Sequence, residues 1–195
     1  VLGPAVVFDS DSKQAMISLI ENGYVDAILA GNALATHDLE GAIFQTALGQ
    51  DIYTQESCCN GHYHHLDVLN QAREHATLNE FVAAKNISDS VVAACVRTGT
   101  PMVLAGSIRD DGPLPEVLAD AYMAQNAMRR HARQATTMIC LATQLHSIAA
   151  GNMTPAYQVI DGSVRPVFLY SVDVSEFAVK KLKDRGTLEE TSIVH

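Results

Sequence analysis

Short aliphatic or β-branched runs recur along the chain: Ala5-Val6-Val7-Phe8, Ala27-Ile28-Leu29-Ala30, Met102-Val103-Leu104-Ala105, Met138-Ile139-Cys140-Leu141 and Val167-Phe168-Leu169-Tyr170. Segments of helical pattern separate them, and that alternation predicts βαβ units and a mostly parallel sheet. The helical segments carry end signals. Ser12 precedes the apolar positions Ala15, Met16, Leu19 and Ile20, with Gly23 as the stop. Thr36 stands as a cap ahead of Asp38 and Glu40 in a first turn, where His37 is a helix-start residue. Pro113 and Pro115 ahead of Glu116 predict a further helix start.

Residues 51–86 break this rhythm. They are polar, His-rich and helical in pattern from His65 to Ala84, which predicts a helical insertion. The run Thr191-Ser192-Ile193-Val194-His195 reads as a last strand. The expected fold class is α/β, a three-layer Rossmann-like single domain over 1–195 with a mostly parallel sheet and a helical, His-rich insertion. Both ends, set directly on apolar strand-like runs, predict a domain excised from a longer polypeptide.

A chain of 195 residues can bury roughly 70% of its unfolded surface without staples. Hydrophobic residues make up 48% and charged residues 18%, and no apolar run reaches the roughly 18 residues of a membrane span. The expectation is a soluble protein without a membrane partner. Val1 to Phe8 lack the basic flank and cleavage site of a targeting signal. A net charge of −9, with no interleaving of basic and aromatic residues, argues against nucleic acid. The four cysteines, an adjacent pair plus Cys95 and Cys140 in apolar runs, do not form a disulfide framework, and a cytoplasmic location is expected.

In a parallel sheet the loops after the strands open on one edge, so polar residues there converge. The first such loop is Gly31-Asn32-Ala33-Leu34-Ala35-Thr36-His37-Asp38, and the second is Gly106-Ser107-Ile108-Arg109-Asp110-Asp111-Gly112-Pro113. The third is Thr143-Gln144-Leu145-His146-Ser147, and Asp173 ends the last run. Gly31 and Gly106 would let backbone amides approach a ligand, and helices starting near Thr36 and Thr143 would aim N–H groups at a pyrophosphate. Asn32 reads either as a ribose or amide contact or as a turn residue. Asp173 reads either as a ribose ligand or as a cap for the helix after Ser175.

Arg109, Asp110 and Asp111 form the densest charged cluster. As a salt-bridged turn they would do no chemistry; on the ligand edge Arg109 would grip a substrate carboxylate and a neighbouring Asp would take a proton or hold an ammonium. His146 is either a packing residue or a catalyst, and Ser147 and Asn152 either cap or back-bond. The cluster Cys58-Cys59-Asn60-Gly61-His62-Tyr63-His64-His65 lacks the paired spacing of structural zinc sites, so it is read as a polar loop or lid and no metal is expected.

Three stretches taken together, Leu29 to Ala35, Val103 to Pro115 and Leu145 to Met153, resemble the archaeal ornithine cyclodeaminases. The same domain forms the C-terminal part of cyanobacterial arginine dihydrolase/ornithine cyclodeaminases, and it also carries the label LOR/SDH. The resemblance covers nearly the whole chain. It implies a Rossmann-like domain binding NAD, and conversion of ornithine to proline and ammonia with NAD regenerated in each cycle. It implies cofactor contacts from Gly31, Asn32, Ala33, Gly106, Ser107, Asp111, His146 and Asp173, and catalysis by Arg109, Asp110 and His146. It also implies an amino-acid substrate and a preceding domain of the parent chain, while exposed edges left by excision predict a homo-oligomer.

One departure stands out. Asp9-Ser10-Asp11-Ser12 occupies the region of the family's Gly-rich first turn, and G-x-G-x-x-G is missing. Two alternatives stay open: a non-catalytic module binding NAD or an amino acid inside a larger enzyme, and a saccharopine-type dehydrogenase.

Overall fold

The structure, a computed structural model, describes residues 1–183 and 189–193. Val1–Gly3 is extended, and Leu2 forms parallel bridges to Ala30 on one side and Leu141 on the other. Pro4–Val7 then makes a 3-10 turn, followed by α1 (Ser10–Glu21), β1 (Ile28–Gly31), α2 (Asn32–Phe44) and the small hairpin of β2 (Thr46–Ala47) and β3 (Gln50–Asp51). Three helices follow, α3 (His64–Ala72), α4 (Leu78–Lys85) and α5 (Val91–Thr98), and then β4 (Met102–Ala105). The remainder is α6 (Ala121–Ala132), β5 (Thr137–Leu141), α7 (Leu145–Met153), the hairpin of β6 (Tyr157–Ile160) and β7 (Ser163–Pro166), β8 (Phe168–Asp173), α8 (Glu176–Lys183) and β9 (Glu189–Ile193).

β4 pairs with β1, β5 with β8 and β8 with β9, all parallel. The Val1–Gly3 segment joins the two halves: Leu2 N–H donates to Leu29 O (3.0 Å), Gly3 N–H to Leu141 O and Leu141 N–H to Val1 O (both 2.8 Å). Counted along the chain, the spatial order of the parallel segments is third, second, first, fourth, fifth, sixth. That is the doubly wound Rossmann order, whose ligand crevice opens beyond the strand carboxyl ends where the order reverses.

Strand alternation divides the core into two clusters. Leu2, Ile28, Ala30 and Leu104 pack with apolar residues of α1, α2, α4 and α5 on one face. Leu29, Met138, Cys140 and Leu169 pack with Met128 and Ala132 of α6 and Ala150 and Met153 of α7 on the other. Outside this cover, Ile139 and Phe168 are half-exposed, at 49% and 50%. No helix among the described residues is long and apolar enough to cross a membrane, and none of the four cysteines forms a disulfide among the described residues.

The structure corrects four expectations. Ala5–Phe8 is not a strand: Pro4 fixes a helical φ and lacks the N–H that a ladder needs, so the run turns and buries Val6 and Val7, while Leu2 takes the strand position. α1 is capped by Asp9, whose carboxylate accepts from the amides of Asp11 (3.0 Å) and Ser12 (3.1 Å); Ser12 lies inside the first turn. Thr36 is not a cap, because α2 begins at Asn32 directly after β1 and the Thr36 hydroxyl back-bonds to Asn32 O (3.0 Å). Glu116 starts no helix, since its φ of +67° is left-handed; the next helix begins at Ala121 under Asp120.

The β6–β7 hairpin was not expected. β9 matches Thr191 to Ile193 of the expected last strand, whereas Val194 and His195 lie outside the described residues.

Candidate functional site

The order reverses between Val1–Gly3 and β5, and there the two backbones touch. A Cβ on Gly3 would lie 1.8 Å from Ala142 O, so only glycine fits. Two helices start beside this point, α2 straight from β1 and α7 just after β5. Neither has a side-chain cap; α3, which runs on from a 3-10 turn at Gly61–Tyr63, also lacks one, whereas α1, α4, α5 and α6 are capped by Asp9, Thr77, Ser90 and Asp120. The first amides of α2 and α7 are therefore left to another acceptor, and the helix dipoles favour an anionic one. Ala33 lies in that first turn of α2.

His146 is the second residue of α7 and leans on Gly31. A Cβ on Gly31 would come within 2.8 Å of His146 Cε1, so the glycine at the end of β1 makes room for the imidazole. The His146 imidazole makes no hydrogen bond among the described residues. Burial pushes its pKa below the ordinary value, and the charge of Asp110 pulls the other way.

The loop after β4 is pinned to neighbouring elements. The Gly106 amide, expected to face a ligand, donates to Leu118 O (2.9 Å), and Leu118 N–H donates to Leu104 O (2.9 Å). The Ser107 amide donates to Asp110 Oδ2 (2.8 Å), while its hydroxyl accepts from the Arg109 amide (3.2 Å). Arg109 is thereby presented outward at the tip, exposed beside a fully exposed Ile108.

Asn32, 3% exposed, holds the far side of the loop: its Nδ2 donates to Gly112 O (2.9 Å) and its Oδ1 accepts from Leu114 N–H (3.0 Å). Its amide is thus committed to positioning the loop. Asp111 accepts from His65 Nε2 (2.9 Å), and Glu116 accepts from Leu78 N–H (2.8 Å), so the 51–86 segment buttresses the same loop. Asp173 ends β8, on the far side of β5 from Gly31, and its Oδ1 accepts from Ser175 N–H (2.8 Å) as an ordinary turn. Gly31, Asn32, Ala33, His146 and the Ser107–Asp111 loop thus share one stretch of the edge, and Asp173 stands apart.

Sequence reasoning missed a buried histidine network behind the loop. Glu40, wholly buried in α2, accepts from His37 Nδ1 (2.8 Å), the Thr46 hydroxyl (2.8 Å) and the amides of Leu48 (3.3 Å) and Gly49 (3.2 Å). Burial pushes its carboxyl up, but the bonds from His37, Thr46 and the Gly49 amide outweigh this and leave it below its ordinary value. The single proton of Thr46 goes to Glu40, so His64 Nδ1 donates to the Thr46 oxygen (2.8 Å). His37 faces Phe8 edge-on at 5.6 Å and His65 at 5.9 Å between ring centroids. The one available signal was the i, i+3 spacing of His37 and Glu40.

The family model described as arginine dihydrolase ArgZ-like, C-terminal, Rossmann fold matches residues 1–195. The ornithine cyclodeaminase of Methanopyrus kandleri is 43% identical over 194 residues, covering 100% of this chain and 45% of that protein. The bifunctional arginine dihydrolase/ornithine cyclodeaminase AgrE of Nostoc is 40% identical, covering 98% of this chain and 26% of that protein. This chain thus spans less than half the length of these curated relatives.

Among solved structures, a conserved LOR/SDH protein of Methanococcus maripaludis superposes with a TM-score of 0.89 at 37% identity, covering 98% of this chain and 55% of that one. AgrE in ternary complex with ornithine and NAD+ superposes with a TM-score of 0.84 at 38% identity, covering 98% and 27%. With the doubly wound sheet and its two bare helix starts, these matches show that the chain belongs to the family of ArgZ-like C-terminal Rossmann domains.

Proposed function

We propose that this chain is the NAD-binding domain of an ornithine cyclodeaminase, which converts ornithine to proline and ammonia without net oxidation. The observation that carries the reading is the pair of uncapped helix starts, α2 and α7, on either side of the point where strand order reverses. Their amides, including that of Ala33, would hold a pyrophosphate. The groups present fit a dinucleotide there: amides for the phosphates, the carboxylate of Asp111 for a ribose diol, and His146 half-buried between the two helix starts. When bound, the nicotinamide would accept a hydride from the substrate's α-carbon and return it later.

The chain's own side chains would do the rest. Arg109, exposed at the loop tip, would grip the substrate carboxylate, and Asp110 would take or return a proton. His146, held below the ordinary imidazole range, would meet the ligand in its neutral form. The relatives' greater length supports a further domain of the parent chain closing this edge. The half-exposed Ile139 and Phe168 support association between copies.

The test is calorimetric titration of the chain with NAD beside a Gly31→Val variant, whose side chain would drive into His146. Micromolar binding by the unmutated chain, weakened about tenfold or more in the variant, is expected. No binding by the unmutated chain at millimolar NAD overturns the reading. Proline formed from ornithine at catalytic NAD, with no accumulation of the reduced cofactor, separates a cyclodeaminase from a saccharopine-type dehydrogenase. NAD binding without turnover favours a binding module or a need for the rest of the parent chain.

A further inference from the structure

His65 Nδ1 is the buried side-chain polar atom that lacks a hydrogen-bond partner among the described residues. Such an atom is costly to leave unpaired, so a site of this kind asks for a ligand or an ordered molecule. Its chemistry follows from the other ring nitrogen. Nε2 meets the Asp111 carboxylate at 2.9 Å, and an ionised carboxylate only accepts, so Nε2 carries a proton and a neutral ring accepts at Nδ1.

His37 repeats the arrangement. Its Nδ1 meets Glu40 Oε2 at 2.8 Å, so Nδ1 carries the proton and a neutral ring accepts at Nε2, which has no hydrogen-bond partner among the described residues. The two rings lie 5.9 Å apart between centroids, tilted by 57°, with Phe8 edge-on to His37. The pair therefore combines two lone pairs, a carboxylate behind each ring and an aromatic neighbour. That set has acceptors and negative charge but no donor to offer an anion, and it suits a small cationic donor.

Building on the function proposed above, we infer that His37 and His65 seat a primary ammonium group of the amino-acid substrate. Asp111 ties this seat to the loop that carries Arg109 and Asp110, so ammonium and carboxylate recognition share one support. Glu40 and Asp111 act as positioning residues, fixing the tautomer of each imidazole as a carboxylate behind a histidine does.

The experiment compares ornithine with two analogues, norvaline, which lacks the side-chain amine, and 5-aminopentanoate, which lacks the α-amine. Each is titrated calorimetrically into the NAD-saturated chain and into its His65→Gln and His37→Gln variants. A seat for the side-chain amine makes ornithine at least about tenfold tighter than norvaline, and both variants erase that ratio while norvaline affinity holds. A seat for the α-amine produces the same pattern against 5-aminopentanoate.

Histidine-labelled NMR supplies a second readout. The His65 Nδ1 resonance is expected to move with ornithine and to stay still with whichever analogue lacks the seated amine. Ratios unchanged in both variants, or no ornithine binding by the NAD-saturated chain, overturn the seat. Because NAD affinity is measured first, absence of NAD binding by the unmutated chain marks failure of the functional reading instead. Retained NAD binding by a variant confirms that it has folded.

Discussion

At the scale of single residues, three side chains carry consequences that solution measurements can reach. His146 has a folded pKa below its ordinary 6.5, so as pH falls the unfolded chain takes up this proton first. The contribution is complete above 6.5 and is lost as pH falls toward the folded value. Urea unfolding across that window is expected to show the chain losing stability as pH drops, with a shallower fall in His146→Gln. The Cys95 thiol is pushed up to about 12, first by burial and then by the charge of Asp38. Cys59 is exposed. Native alkylation near pH 8 is expected to label Cys59 quickly and leave Cys95 untouched until denaturant is added, as mass spectrometry of the labelled peptides would show.

At the scale of elements, the loop after β4 is held from two directions, and Asn32 is its inner clamp. Asn32→Ala removes both loop bonds and leaves the Leu114 amide buried without a partner, which is expected to cost about 1–3 kcal/mol in chemical denaturation. Amide exchange should accelerate at Leu114 and not at Leu29 in the sheet.

This loop also marks how far the sequence was legible. Strands β1, β4, β5 and β8 were readable to within a residue or so at their starts because each is an aliphatic run that fills a sheet buried on at least one face. Ala5–Phe8 satisfied the same pattern and misled, since hydrophobicity reports burial and not backbone conformation, and the extended segment Val1–Gly3 is too short to show alternation. The β6–β7 hairpin escaped because Val159 and Val164, at 70% and 71% exposure, bury nothing that would impose a pattern. That Gly31, Asn32, Ala33 and His146 share one edge of the sheet was legible from topology, because a parallel sheet dictates where its loops converge. His37, Glu40 and His65 were not recognised together, because contact between α2 and α3 leaves no trace in local spacing.

At the scale of the whole molecule, the sheet is two halves, β4–β1 and β5–β8–β9, and everything the site does depends on their being one surface. Asn32 and Gly31 belong to the first half; His146 and Asp173 belong to the second. The bond between the halves is a strand of three residues, whose partner Leu141 lies across most of the chain from Leu2. In kinetic terms, the last event of folding is then a zipper closing over a very long loop, where the entropy of closure falls due before its contacts form. Each half can collapse early on its own helices, and the slow phase belongs to the insertion of Leu2 between them. Stopped-flow refolding is expected to show a fast helical phase that Leu2→Ala leaves alone and a slow phase that the same substitution retards, so the crevice is the last part of the molecule to come into being.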